Sequence, residues 1–115
     1  MKKILLLTCI AFSMNAQAQF VQNPAKNKEN LVSTVKEVKN MKDDTWVVMQ
    51  GKIERKIGHE EYLFTDDTGS ITVEIDNDDW KGTVVTPQDK VEIIGEVDKG
   101  ILSDEIEVKK IKVIQ

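Results

Sequence analysis

The chain has 115 residues, enough for one small domain, and its 20 acidic and 16 basic residues leave a net charge of −4 at neutral pH. That balance argues against nucleic acid as a ligand, because phosphates require a basic surface. A single histidine and a single cysteine also leave few side chains for nucleophilic catalysis.

The first 18 residues have the pattern of a cleavable signal peptide. Two lysines precede an apolar run over residues 4–14, and Ala16 and Ala18 form an A-x-A cleavage site. The run is too short to be a stable membrane anchor, and Cys9 within it is interpreted as part of the discarded peptide, not as a lipid attachment site. Cleavage would remove two of the 16 basic residues and no acidic one, leaving 97 residues, a net charge of −6 and no cysteine. We therefore expect a periplasmic protein.

Residues 19–30 are polar, contain Pro24 and lack periodicity, which predicts a flexible leader. A short helix should follow. Thr34 and Glu37 have the spacing of a capping box, in which each side chain accepts a hydrogen bond from the backbone N–H of the other residue. Apolar side chains at steps of three and four residues give the helix one narrow stripe for docking on a sheet: Leu31, Val35, Val38 and Met41.

After the helix the apolar period changes to two, which is typical of strands with one buried face. Five strands are predicted, over residues 45–55, 61–65, 70–76, 89–98 and 105–114. Gly51 and Gly95 indicate bends within two strands, and a shift of apolar phase between Val108 and Ile111 indicates a bulge. Five bent strands cannot make two full sheets in so short a segment. We predict a mainly β domain over residues 31–115, a five-stranded OB-fold barrel with a short N-terminal helix, and an SH3-like barrel as the main alternative.

The second and third strands form an acidic hairpin. Residues 60–79 contain no lysine or arginine and eight carboxylates: Glu60, Glu61, Asp66, Asp67, Glu74, Asp76, Asp78 and Asp79. In many OB barrels these two strands bind nucleic acid through aromatic and basic side chains. Here the carboxylates would repel phosphate, so we predict that this protein does not bind nucleic acid.

Motifs for catalysis and metal binding are weak. His59 lies in a predicted turn, and the sequence has no nucleophile motif for which it could act as a general base. We therefore predict neither an enzyme nor a cofactor. The segment 76–79 suggests a calcium loop, but lysine and proline stand where an EF-hand needs its glycine and its last glutamate. No metal site is predicted. A looser divalent site shared with Asp66 and Asp67 is left open, and a calcium-dependent shift in melting temperature would reveal it.

Three aromatic side chains have polar edges. Trp46 and Tyr62 lie in predicted strands and are expected in the core. Trp80 lies in a loop, where it either caps the barrel or forms one wall of a pocket whose other wall is acidic, an arrangement suited to a cationic group or a sugar ring. The predicted ligand-binding residues are Asp66, Asp67, Glu74, Asp76, Asp78, Asp79 and Trp80.

Several short motifs, taken in order, are similar to those of a known family. They are Lys39-Asn40-Met41, Asp43-Asp44-Thr45-Trp46-Val47, Gly51-Lys52-Ile53, Tyr62-Leu63-Phe64, Asp67-Thr68-Gly69, Val73-Glu74-Ile75-Asp76, Trp80-Lys81-Gly82, Thr86-Pro87 and Gly95-Glu96-Val97-Asp98. With the signal peptide they resemble the bacterial OB-fold (BOF) family of periplasmic stress-tolerance proteins, the YgiW/YdeI type. The resemblance implies an OB barrel, a periplasmic location and a role in tolerating oxidants or cationic antimicrobial agents. It brings no established catalytic activity and no agreed binding residues.

Two functions are consistent with these features. The first is an exported, non-enzymatic OB-fold binding protein that contributes to envelope stress tolerance. Its acidic hairpin and Trp80 would hold a cationic small molecule, a cationic peptide or an envelope glycan. The alternative is a protein-interaction or scaffold module that contacts an outer-membrane or periplasmic protein through the barrel edge or the docked helix.

Overall fold

The computed structural model describes residues 31–115, so the predicted signal peptide and leader lie outside the described range. Five strands close into a barrel in the order β1-β2-β3-β5-β4: β1 (Trp46–Lys56), β2 (Glu61–Asp66), β3 (Gly69–Ile75), β4 (Val91–Lys99) and β5 (Asp104–Val113). Neighbouring strands are antiparallel except β3 and β5, which are parallel. This arrangement confirms the predicted OB fold over the SH3-like alternative. Within the described range, no helix is long and apolar enough to span a membrane.

The short helix α1 (Val35–Val38) begins where the sequence predicts. The Thr34 hydroxyl accepts a hydrogen bond from the Glu37 N–H at 3.1 Å, and a Glu37 carboxylate oxygen accepts one from the Thr34 N–H at 2.8 Å. The capping box is therefore confirmed. A helix of four residues is unstable alone, so its order depends on what it packs against.

The apolar side of α1 docks on the barrel through Val35 and Val38, which are fully buried. Met41 packs against the same core from its edge. Leu31 is 65% exposed, so its predicted place on this stripe is wrong. The physical reason is that residue 32 forms a β-bridge with Val48, which takes Leu31 off the helical face.

Gly51 marks the bend at which β1 changes partners. The strand pairs with β4 as far as Gly51, opposite Val91, and pairs with β2 from Lys52, opposite Thr65. A Cβ atom on Gly51 would lie 2.3 Å from the Thr65 carbonyl oxygen. Only glycine allows the backbones to approach this closely, which agrees with the bend that the sequence predicts.

The predicted bulge in β5 is confirmed at Lys109. Ile94 of β4 pairs with Lys110, but the next residue, Gly95, pairs with Val108, so one residue of β5 has no partner. A bulge bends its strand and increases the local twist, which helps a five-stranded sheet close on itself. Lys110 and Lys112, which follow the bulge, are exposed on the outside of the barrel.

The core is built from the inward faces of all five strands together with α1. Its largest fully buried side chains are Phe64, Met49, Ile75, Ile93 and Ile106. Tyr62 packs against this core but stays partly exposed. The prediction that Trp46 belongs to the core is wrong, because its side chain is 59% exposed. Successive residues of a strand face opposite sides, and Val47 takes the inward position at the start of β1.

Candidate functional site

The sequence-predicted site residues lie in two separate groups. Asp66 and Asp67 stand at the turn between β2 and β3, whereas residues 76–80 follow the far end of β3, close to Glu74. Strand β3 has seven residues, so the two groups are roughly 20 Å apart at about 3.3 Å per residue. The hairpin therefore does not bring the predicted residues together into one site.

Asp66 joins the hairpin turn to the start of α1. One carboxylate oxygen accepts from the Val35 N–H at 2.9 Å, and the other accepts from the Thr68 N–H and hydroxyl at 2.8 and 2.7 Å. Burial alone would raise the pKa of Asp66, but the hydrogen bonds from Thr68, Val35 and Gly69 together hold it below its usual value. These contacts give Asp66 a structural role.

Of the other acidic residues of the predicted site, Asp76 also has a structural role. Asp76 caps a 3-10 helix (Asn77–Asp79) by accepting a hydrogen bond from the Asp78 N–H at 2.9 Å. Asp67 and Asp78 are exposed. Among residues 31–115, no group of three or more histidine, cysteine, aspartate or glutamate side chains is placed to hold a metal ion. A divalent site shared between the two groups would need carboxylates from opposite ends of the hairpin.

Trp80 both packs on the barrel and forms a wall of a cavity. Its ring meets the Tyr62 ring edge to face, with centroids 5.4 Å apart, and contacts the edge of the core. The cavity has a volume of about 380 Å³, and its opposite wall carries Lys109, Lys110 and Lys112 of β5. The expectation that Trp80 faces an acidic wall is therefore wrong, because the parallel pairing of β3 with β5 brings the lysines of β5 to this end.

A row of four glutamates crosses the outside of the barrel. The register places Glu61 opposite Glu74, Glu74 opposite Glu107, and Glu107 opposite Glu96. These residues lie on β2, β3, β5 and β4, which are neighbours at a spacing of about 4.8 Å. We call these four residues the carboxylate row. Of the sequence-predicted site residues, only Glu74 belongs to it.

The negative charges on this face oppose the ionisation of Glu74. Burial raises the pKa of Glu74, and the charges of Glu107, Glu60, Glu61 and Asp98 raise it further. Like charges directly opposite each other across paired strands destabilise a sheet. The barrel therefore carries an electrostatic cost at the carboxylate row that a bound cation would relieve.

Glu105 lies beside the carboxylate row and extends the acidic face. Burial is the largest cause that raises the pKa of Glu105, and the charge of Glu61 and a hydrogen bond between the two carboxyls raise it further. Glu107 has an ion pair with Lys109 at 3.1 Å. In the described part of the chain, the other three members of the row have no ion pair with a lysine or arginine.

The exposed aromatic beside this acidic face is Trp46. It stands directly opposite Glu96 across the β1–β4 pairing and so continues the row on to a fifth strand. An indole face next to carboxylates attracts cations, since the ring quadrupole adds to the negative charge. Pairing Trp46 with Glu96 needs the β1–β4 register, which the sequence does not show.

Repulsion on the acidic face predicts a pH dependence of stability. Because the pKa values of Glu74 and Glu105 are raised in the folded state, their ionised forms destabilise it. The free energy of unfolding should rise as pH falls from 7 through these raised values, and the gain should be complete near the ordinary glutamate pKa of about 4.3. Glu74→Gln should raise the free energy of unfolding at pH 7 by as much as about 1 kcal/mol and make it depend less on pH. Urea unfolding of both proteins between pH 7 and 5 measures it, and identical slopes would contradict the assigned repulsion.

Comparison with known proteins gives the chain a family. The model of the bacterial OB fold (BOF) protein family matches residues 11–113. Protein YgiW of Escherichia coli K12 is 49% identical over 81 residues, which cover 70% of this chain and 62% of YgiW, so the match spans less than two thirds of that relative. The solved structure of the hypothetical protein ygiW from E. coli has a TM-score of 0.71 at 48% identity and covers 72% of this chain and 89% of that one.

A second relative and a distant structure complete the comparison. The calcium-regulated OB-fold protein CarO of Pseudomonas aeruginosa is 40% identical over 83 residues, which are 72% of each chain. Asparaginyl-tRNA synthetase from Pyrococcus horikoshii is 20% identical with a TM-score of 0.60, over 72% of this chain and 23% of that one. That last likeness shows a shared fold alone. The family match and the two sequence relatives decide the assignment: the chain belongs to the bacterial OB fold (BOF) protein family.

Proposed function

We propose that this protein is an exported, non-enzymatic binding protein of the bacterial envelope that contributes to stress tolerance by binding a cationic ligand on the carboxylate row. The observation that carries the proposal is the register of four glutamates on four neighbouring strands. Like charges directly opposite each other lower the stability of a sheet. Binding of a positively charged ligand would offset that repulsion, which is why we assign the row to ligand binding.

The spacing of the row suits an elongated cation. Neighbouring strands are about 4.8 Å apart, so the row places carboxylates at regular steps across the barrel wall. One of them, Glu107, already pairs with Lys109. A polyamine or a lysine-rich or arginine-rich peptide presents several positive charges along one chain. Trp46 would contact the end of such a ligand by a cation–π interaction. An envelope glycan without positive charge would leave the repulsion unrelieved, so the row favours the cationic class.

Isothermal titration with hexalysine tests the proposal. At low salt we expect saturable binding to wild-type protein, and we expect 0.5 M salt to abolish most of it, because exposed charges are screened over about 4 Å at that ionic strength. Glu74→Gln combined with Glu96→Gln should weaken the affinity at least about tenfold, which corresponds to about 1.4 kcal/mol. A neutral chito-oligosaccharide should give no heat of binding.

The matched control changes the same charge elsewhere. Asp67→Asn combined with Asp78→Asn removes two negative charges from exposed positions at the two ends of the hairpin. This variant should bind hexalysine within about twofold of wild type, because the row is intact. If both double variants lose affinity equally, net charge alone attracts the peptide, and the carboxylate row is not the site.

The second candidate function, a protein-interaction module, is favoured by one feature of the β4–β5 turn. Ile101 and Leu102 are fully exposed there, although large apolar side chains at a loop tip are costly to leave in water. Site-specific photo-crosslinking from position 102 in intact cells tests this role. A discrete protein adduct that disappears in the Ile101→Ser variant would support it, and the absence of any adduct would leave the binding-protein proposal as the sole candidate.

A further inference from the structure

The cavity beside Trp80 has a local charge opposite in sign to that of the whole chain. Four lysines and two carboxylates line it, in a protein with a net charge of −4. The full lining is Asp79, Trp80, Lys81, Thr83, Glu92, Ile94 and residues 109–112. We call this cavity the Trp80 pocket. The lysines give this pocket a positive local charge, whereas the carboxylate row is negative, so the two surfaces would bind ligands of different classes.

Two of the four lysines of the Trp80 pocket form ion pairs, and the other two do not form one within the described range. Lys109 is paired with Glu107 at 3.1 Å, and Lys112 lies 3.6 Å from Glu92, whose carboxylate also accepts a hydrogen bond from the Gln50 side chain. The other two, Lys81 and Lys110, are exposed. In the described range neither of these two has an ion pair. Positive charge is thus available at the mouth of the pocket.

The apolar part of the pocket is held in place before any ligand arrives. The Trp80 ring makes an edge-to-face contact with Tyr62. The backbone carbonyl of Trp80 accepts a hydrogen bond from the Thr83 N–H at 2.8 Å. Ile94, which is partly exposed, supplies aliphatic surface to the pocket, whereas the Ile111 side chain belongs to the core. A fixed indole with an aliphatic side chain nearby is a good surface for stacking a flat or puckered ring.

The backbone holds Lys81 at the mouth in a strained conformation. Its φ angle is 49°, in the left-handed region that a residue with a side chain rarely adopts, and Gly82 follows with a φ of 79°. Such a conformation is unfavourable for a residue with a Cβ atom and persists where the surrounding structure requires it. Lys81 and Gly82 form a turn directly after Trp80, and Lys81 lines the pocket.

We propose that the Trp80 pocket binds a small phosphate ester carried on a ring, such as a nucleotide or a sugar phosphate. The ring would lie against Trp80, and the phosphate would contact the ammonium groups of Lys81 and Lys110. A volume of about 380 Å³ suits a ligand of this size. This inference goes beyond the proposed function, because it concerns a second site and an anionic ligand.

The surroundings of the pocket restrict the ligand to a small molecule. A single strand of nucleic acid covers roughly four or more nucleotides on an OB barrel. Beyond the pocket such a strand would meet Glu107 and the rest of the carboxylate row, which repel phosphate. A single phosphate at the lysine-rich mouth avoids that repulsion.

Fluorescence of Trp80 tests the proposal on the Trp46→Phe protein, in which Trp80 is the one remaining tryptophan. Four probes are titrated at low salt: AMP, glucose 1-phosphate, adenosine and inorganic phosphate. We expect a saturable change with AMP or glucose 1-phosphate and at least about tenfold weaker binding of adenosine and of inorganic phosphate, because each lacks one of the two contacts. The ester that binds with the higher affinity shows whether a base or a sugar contacts the indole.

Lysine variants separate the pocket from general electrostatics. Lys81→Gln combined with Lys110→Gln should weaken ester binding about tenfold or more, whereas Lys36→Gln combined with Lys42→Gln, which makes the same charge change far from the pocket, should leave it unchanged. No saturable signal with either ester would overturn the proposal, as would equal losses in the two double variants. The lysine substitutions lie outside the carboxylate row, and the hexalysine titration uses protein that keeps Trp46, so failure here leaves the hexalysine result unaffected.

Discussion

Replacing Gly95 with alanine is expected to destabilise the barrel by about 3 kcal/mol, the upper end of the usual cost of overpacking. Gly95 faces inward in β4 beside the bulge of β5, where two backbones approach closely. A Cβ atom there would lie 2.2 Å from the carbonyl oxygen of Glu107. Because the obstacle is backbone, no side-chain rotation relieves the clash, and β4 and β5 must separate.

Gly58→Ala is the matched control for Gly95→Ala. Its added Cβ would meet the Glu61 carboxylate at 2.8 Å, which can rotate away, and the Glu61 Cβ at 3.3 Å, which needs a shift of only a few tenths of an ångström. We therefore expect a change within about 0.5 kcal/mol, the usual range for substitutions away from special features. Urea unfolding monitored by circular dichroism compares the two variants. Equal stabilities for both would show that the strands tolerate a side chain at Gly95.

Removing the Asp66 side chain is expected to cost about 2–3 kcal/mol. Asp66→Ala deletes the acceptor for the Val35 N–H, which acts as a helix cap, and the acceptor for the Thr68 N–H and hydroxyl in the hairpin turn. Asp66→Asn should lose less, because its amide oxygen still accepts at one of the two places. Asp67→Ala, at the exposed neighbouring position, should change stability by less than about 0.5 kcal/mol.

The pH dependence of Asp66 distinguishes its role from that of the glutamates. Its lowered pKa means that the ionised form stabilises the folded state, so this contribution is present above the ordinary aspartate pKa of about 3.9 and is lost as pH falls through the lowered value. Asp66→Ala should therefore flatten the acid limb below about pH 4. A similar loss of stability in Asp67→Ala, or an unchanged acid limb in Asp66→Ala, would contradict the assigned role.

The local features of the fold could be predicted from the sequence because each depends on neighbouring residues. The capping box of Thr34 and Glu37, the bend at Gly51 and the bulge in β5 all follow from short-range spacing, and all are confirmed. The exposure of Trp46 could not be predicted, because an alternating pattern does not say which of two adjacent large residues faces inward. Val47 and Met49 set the phase of β1.

The candidate site could be predicted only in part, since it depends on contacts between strands distant in sequence. The excess of acidic residues in the hairpin is visible in the sequence, but Glu74 meets Glu107 through a parallel β3–β5 pairing across more than thirty residues. The same pairing brings lysines of β5 to Trp80. A count of charges along the hairpin therefore indicates an acidic surface but does not show that Glu74 lies opposite Glu107.

The measurement that tests the carboxylate row most directly is a titration of ¹⁵N-labelled protein with hexalysine, followed by amide and indole chemical shifts. Binding at the row should shift the amides of Glu61, Glu74, Glu96 and Glu107 and the indole N–H of Trp46, and 0.5 M salt should reverse these shifts. Shifts concentrated at residues 66–68 or 76–80 would place the cation at the hairpin ends instead. That result, or the absence of any shift, would contradict the proposed site.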